Sequence, residues 1–230
     1  MSFRVLVTAG PTHEALDPVR YLGNRSSGKQ GAAVANGFAD KGCDVTLVLG
    51  PVERAVRDLL NPRIQIVDVR SAQDMLCAAL AFPSPDVVAM AAAVADWRPA
   101  VIFEKKMKKQ LGQERLSVEF LRNPDILKML AASDQRPRLL IGFAAETAED
   151  DAELLSLARA KLRDKKCDWI VANNVSGGAT FGADANRLLL AANAGGVMRL
   201  GEASKMRLGL ALAEAATKHL NGEPISWEDA

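Results

Sequence analysis

Residues 8–31, TAGPTHEALDPVRYLGNRSSGKQG, sit between two unlike segments, and that contrast decides the fold class. Ahead of them, residues 3–7 (FRVLV) form a short apolar, β-branched run that reads as a buried strand. Behind them, residues 31–40 (GAAVANGFAD) carry the small side chains of a helix that can pack closely on a sheet. Between lie two prolines, several glycines and a cluster of Thr, Asn and Ser. Backbone N–H groups and hydroxyls near a helix N-terminus stabilise anions. A phosphate-bearing ligand is therefore expected between the first strand and the first helix, the more so because ordered loops this long are usually functional.

The familiar phosphate loops do not fit. Residues 23–29 (GNRSSGK) approach the P-loop pattern, but Gln30 stands where Ser or Thr would hold magnesium. A P-loop also follows its strand directly, whereas here residues 8–22 intervene. No G-x-G-x-x-G follows the first strand. The second strand, residues 44–49, ends in Gly50-Pro51 rather than in an acidic residue for a ribose.

Further along, residues 64–69, 86–93, 139–144 and 168–172 read as strands. Residues 71–81 (Ser71 as N-cap), 124–132 (Pro124 at the first helical position), 149–166 and 203–220 read as helices. Residues 187–199 read as a hairpin turning at 193–196, and residues 97–123 form a polar excursion that breaks the rhythm. Such alternation predicts one α/β domain over residues 1–230. Its core is a Rossmann-like, doubly wound, mostly parallel sheet with helices on both faces, plus a flap and a C-terminal hairpin. Ligands of such sheets bind outside the carboxyl ends of the strands. Residues 8–31, 91–99, 142–147 and 173–181 all fall there, which predicts one shared site.

Composition narrows the class. With 49% apolar residues and a net charge of +1 among 230 residues, the chain can bury a good core and offers no broad basic surface for nucleic acid. Cys43, Cys77 and Cys167 are scattered without metal spacing, so they read as reduced thiols of a cytoplasmic protein. No apolar run is long enough for a membrane span. The two histidines, His13 and His219, form no catalytic pair by spacing, and His219 suits the C-terminal end of a helix at the surface.

The chain resembles the phosphopantothenoylcysteine synthetase family, the phosphopantothenate–cysteine ligases of coenzyme A biosynthesis. TAGPT, DPVR and N-x-SSGK-x-G open the signature, and AAAVADWRP, KMKK, NPDIL, GFAAET, AKLRDKKCD and FGADAN follow in order. The resemblance implies a CTP-dependent ligation through an acyl-cytidylate, with CMP and pyrophosphate as products and Mg2+ held mostly by substrate and water. It also implies a homodimer, for which residues 187–199 are a candidate contact, and a flavin-dependent decarboxylase as fused or separate partner. By the same resemblance the K-x-K-K motif aligns on Lys106, Met107, Lys108 and Lys109, and Lys106 stabilises the transition state of adduct formation. Asn24 contacts the acyl-nucleotide when cysteine attacks. Gly10, Ser26, Ser27 and Gly28 take phosphate or substrate. Met90, Ala91, Ala92, Ala93 and Asp96 lie at the nucleotide, as do Pro124, Asp125, Ile126, Leu127 and Phe143. Lys161 and Lys165, four apart on one helix face, serve the triphosphate. Gln30 replaces the family's more usual Met, a change expected to be harmless. No protein ligands to a metal are expected.

The residues taken alone leave plainer alternatives: a solvated charge run for the lysines, a loop cap for Asn24, close packing for the alanines and core for Phe143. Two rival functions differ in kind. A nicotinamide-dependent oxidoreductase would suit the fold, but the single tyrosine, Tyr21, is followed four residues later by Arg25 rather than by lysine. A nucleotide-sensing module would bind CTP and release no pyrophosphate.

Overall fold

The computed structural model describes residues 2–108, 114–176 and 183–228. Strand β1 (Arg4–Ala9) alternates as a doubly covered strand must: Val5, Val7 and Ala9 face one helix layer and Leu6 faces the other. It leads into a small hairpin, β2 (His13–Ala15) with β3 (Tyr21–Gly23), and then into α1 (Lys29–Asp40). Next come β4 (Asp44–Leu49), α2 (Arg54–Arg57), β5 (Gln65–Asp68) and α3 (Ala72–Ala81). Ser71 caps α3 in a capping box with Asp74. The chain continues through β6 (Val87–Met90), β7 (Trp97–Pro99), β8 (Phe120–Arg122), α4 (Ile126–Ala131), β9 (Leu139–Glu146) and α5 (Asp151–Lys165). It finishes with β10 (Trp169–Asn174), β11 (Ala185–Ala192), β12 (Val197–Ser204) and α6 (Lys205–Asn221).

Eight strands form one sheet in the order β12-β11-β10-β9-β6-β1-β4-β5. The six strands from β10 to β5 are parallel, and β11 and β12 add an antiparallel edge. Helices α1 and α6 cover one face, and α3, α4 and α5 cover the other. This is the doubly wound α/β architecture expected from the sequence. Helices α1 and α6 touch backbone to backbone, because a Cβ on Gly37 would lie 2.5 Å from the Gly209 carbonyl oxygen.

Four boundaries differ from expectation. The strand over 86–93 stops at Met90, because the N–H of Ala91 turns to Thr8 O (3.2 Å) and that of Ala93 to Gly10 O (2.9 Å). Pro124 precedes α4 rather than opening it; Asp125 is the N-cap and accepts from the Lys128 N–H at 3.2 Å. The last helix begins at Lys205 behind its Ser204 cap, since Ala203 still pairs with Asn186 in the sheet. The 97–123 excursion is not wholly irregular: β7 and β8 pair antiparallel, Trp97 opposite Arg122. The β2–β3 hairpin and α2 were not legible in the sequence.

Candidate active site

Strands β10, β9, β6 and β1 end side by side, and a cleft of about 660 Å³ opens at their carboxyl ends. Its floor is residues 91–96, which leave the sheet after β6 and are lashed down on two sides. Thr8 Oγ1 accepts from Ala92 N–H (3.2 Å), and Thr12 Oγ1 accepts from Ala95 N–H (3.0 Å). From the other side the buried Asn123 donates Nδ2 to Ala95 O (2.8 Å) and its N–H to Asp96 O (2.8 Å). Thr8 and Thr12 are fully buried and satisfy backbone groups that would otherwise be orphaned.

The rim facing α1 is residues 24–31. Gly28 takes φ +79°, where a side chain would be strained, and a Cβ there would lie 3.3 Å from Gly10 Cα. Ser26 and Ser27 accept from the N–H groups of Gly28 (3.3 Å) and Lys29 (3.5 Å), and Asn24 Nδ2 donates to Val94 O (3.2 Å). Asn24 thus bridges rim and floor with its carbonyl oxygen left over. Opposite stands a wall from α4 and α5. Lys161 pairs with Glu146 at 2.7 Å, Lys165 with Asp125 at 2.5 Å and Lys128 with Asp164 at 2.7 Å. The Lys128 ammonium holds the Asp164 carboxyl below its ordinary pKa. Phe143 does both things weighed for it: it packs against the core below the sheet and also lines the cleft.

Of the residues singled out in the sequence, the cleft gathers Asn24, Ser26, Ser27, Gly28, Met90, Ala91, Ala92, Ala93, Asp96, Pro124, Asp125, Ile126, Leu127, Phe143, Lys161 and Lys165. Gly10 is not part of its lining; it is buried behind the rim at φ +81° and makes room for Gly28. Lys106 is exposed and outside the lining. The strap that carries it is held at Met107, whose N–H donates to Asp17 Oδ2 (3.2 Å) and whose carbonyl accepts from Arg20 (3.4 Å). Asp17 is itself clamped by Arg20 at 2.6 Å, and those hydrogen bonds hold its carboxyl far below the usual carboxylate range. Lys109, and residues 177–181 of the fourth predicted segment, lie outside the described residues. The lining also includes Gln30, Asn123, Asn186 and Lys205, which sequence reasoning did not select. Asn186 closes the FGADAN run and Asn123 opens NPDIL, so both had a motif to betray them; a single lysine at the start of α6 had none.

Among the described residues no group of three His, Cys, Asp or Glu could hold a metal ion. Asp125 and Asp164 in the cleft lining, and Glu146 on β9, each pair with a lysine, and Asp96 also lines the cleft.

Residues 2–220 match the family model described as the DNA/pantothenate metabolism flavoprotein C-terminal domain. The chain belongs to this family. The coenzyme A biosynthesis bifunctional protein CoaBC of Mycobacterium bovis is 42% identical over 226 residues, covering 95% of this chain and 53% of that protein. The chain thus spans about half the length of this curated relative. A crystal structure of the C-terminal domain of a CoaBC protein superposes with TM-score 0.75 at 35% identity, covering 96% of this chain and 97% of that one. A Cab2 mutant in complex with phosphopantothenate-cysteine, at 17% identity and TM-score 0.63, covers 94% of this chain and 88% of that one, and shows the shared fold. Among the described residues no helix is long and apolar enough to cross a membrane.

Proposed function

We propose that this chain joins 4′-phosphopantothenate to L-cysteine in coenzyme A biosynthesis, at the expense of CTP. The observation that carries the reading is the single cleft in which the N-x-SSG rim, the 91–96 floor and the α4–α5 lysines converge. The phosphopantothenate carboxylate attacks the α-phosphorus of CTP, forming a P–O bond and expelling pyrophosphate. The cysteine amine then attacks the acyl carbon; the C–O bond breaks, CMP leaves, and the nitrogen loses a proton. Mg2+ bound with the nucleotide would help neutralise the triphosphate.

The residue roles follow the chemistry. Fixed N–H donors at the start of α1 suit phosphate. The small side chains of Ala91, Ala92 and Ala93 admit a base close to the backbone, and Asp96 and residues 124–127 border it. Asn24, already turned toward the floor, offers a neutral amide to the acyl-nucleotide. Lys106, on the strap beyond the rim, supplies the cation for adduct formation.

We further propose that the protein is a homodimer working with a flavin-dependent decarboxylase, fused or separate. Exposed Tyr21 and Leu22 lie on β3, exposed Trp97 and Phe120 on β7 and β8, and exposed Ile102 in the loop after β7, and β2 lies beside β7. That surface is a second candidate for the contact between copies, beside residues 187–199.

The deciding assay adds phosphopantothenate to the protein with CTP or ATP, side by side, and measures pyrophosphate before and after cysteine. CTP-dependent release without cysteine, followed by CMP with cysteine, is the expected result. Binding of CTP with no pyrophosphate released would make the chain a nucleotide sensor and sink the ligase reading.

A further inference from the structure

The two cationic walls of the cleft differ in how their charge is balanced. On α4 and α5, Lys128, Lys161 and Lys165 meet three carboxylates, as described above. Across the cleft, Asp184, its side chain 89% exposed, pairs with Lys29 at 2.6 Å, while Lys205 makes no ion pair among the described residues. Lys205 is only 7% exposed, and its Nζ donates to the carbonyl of Ala183 at 2.5 Å. A carbonyl satisfies one N–H but does not neutralise an ammonium group, and burial, followed by the charge of Lys29, pulls that ammonium below the ordinary lysine pKa.

The neighbouring amide is also incomplete. Gln30 Oε1 accepts from Asn186 Nδ2 at 3.2 Å, while Gln30 Nε2 is buried with no hydrogen-bond partner. A buried donor without an acceptor is uncommon in a folded protein and asks for an explanation. Gln30, Asn186 and Lys205 all line the same cleft, beside the Ser26–Gly28 rim. A buried ammonium with no ion pair among the described residues and a spare donor therefore meet at the Lys205 corner, whereas each lysine of the α4–α5 wall is paired. A polyanion gains most where cations are least compensated.

We propose that Lys205 and the Gln30 amide bind the outer phosphates of the nucleotide, the pair that leaves as pyrophosphate, and that Asn186 positions Gln30 for this. The proposal rests on the ligase reading above and departs from it in one respect: Lys161 and Lys165 are not the principal triphosphate cations.

Calorimetric titration of the full chain with inorganic pyrophosphate and, separately, with CMP tests it. Lys205→Met should weaken pyrophosphate binding by about tenfold or more, the scale of one charge-assisted contact. Lys205→Arg should recover much of that, and Gln30→Leu should lose about threefold to tenfold. CMP affinity should stay within about twofold in all three, and Lys161→Met should lose less pyrophosphate affinity than Lys205→Met. Unchanged pyrophosphate affinity in folded Lys205→Met, or an equal loss of CMP, would overturn the proposal. Should Lys205→Met fail to fold, Gln30→Leu carries the decision on the same readout. The two readings separate cleanly: pyrophosphate bound through Lys205 without turnover of CTP sinks the ligase and leaves the phosphate wall standing.

Discussion

Asn24 and Lys106 divide the proposed reaction between them, and their substitutions should fail at different steps. Lys106→Gln should cut pyrophosphate release by ~10²–10³, the usual cost of removing a fixed donor to developing charge. Asn24→Ala should form the acyl-cytidylate and then release CMP slowly, by a comparable factor. Rapid quench with separate detection of pyrophosphate and CMP checks both; normal CMP release in the Asn24 variant would contradict the division. The thiols give a second residue-scale expectation. Burial pushes the Cys167 pKa up to about 12, whereas Cys77 is exposed. Iodoacetamide at pH 8 should therefore label Cys77 readily and leave Cys167 untouched until the protein unfolds, as peptide mass mapping would show. At this scale much of the cleft lining was legible, because Asn24, Ser26 and Asp96 sit in recognisable strings. The part played by Thr8 and Thr12 was not singled out: a hydroxyl in a glycine-rich loop looks the same in sequence whether it meets a ligand or a buried N–H.

Strap and helix pair carry the expectations at the level of elements. The strap is tied at Met107 by Asp17, whose pKa is lowered chiefly by the Arg20 hydrogen bonds. A depressed carboxyl contributes stability above its unfolded value of 3.8 and loses it as pH falls below that toward the folded value. Asp17→Asn should speed amide exchange at Met107 by about tenfold at pH 7, a local opening without global unfolding. The difference in Tm between wild type and this variant should narrow on acidification below about pH 4. For the helices, Gly37→Ala places a methyl against the Gly209 carbonyl in a backbone contact that cannot swing aside. The cost should be about 1–3 kcal/mol, or several degrees of Tm by calorimetry. Periodicity located α1 and α6 but said nothing of their contact, since two glycines far apart in sequence reveal a close approach only once both helices are placed on one face.

At the scale of the whole molecule, the exposed apolar side chains on and beside the two small sheets predict self-association through them. Ile102→Asp with Trp97→Asp should shift the sedimenting species from dimer toward monomer, while Arg187→Glu should not. A wild-type monomer at tens of micromolar would refute it. Both small sheets escaped the sequence reading because strands of three residues, such as His13–Ala15 and Phe120–Arg122, are too short for period-2 alternation to register.

The sequence by itself determined the parallel α/β sheet, the loop at its carboxyl edge and the family, because long apolar runs and dense motifs are local properties. Only the tertiary structure decided how charge is distributed around the cleft. Whether a lysine is compensated depends on carboxylates brought from other elements, as Asp125 is to Lys165, or left behind, as at Lys205. Burial and pairing are relations between distant residues, and no local pattern encodes them.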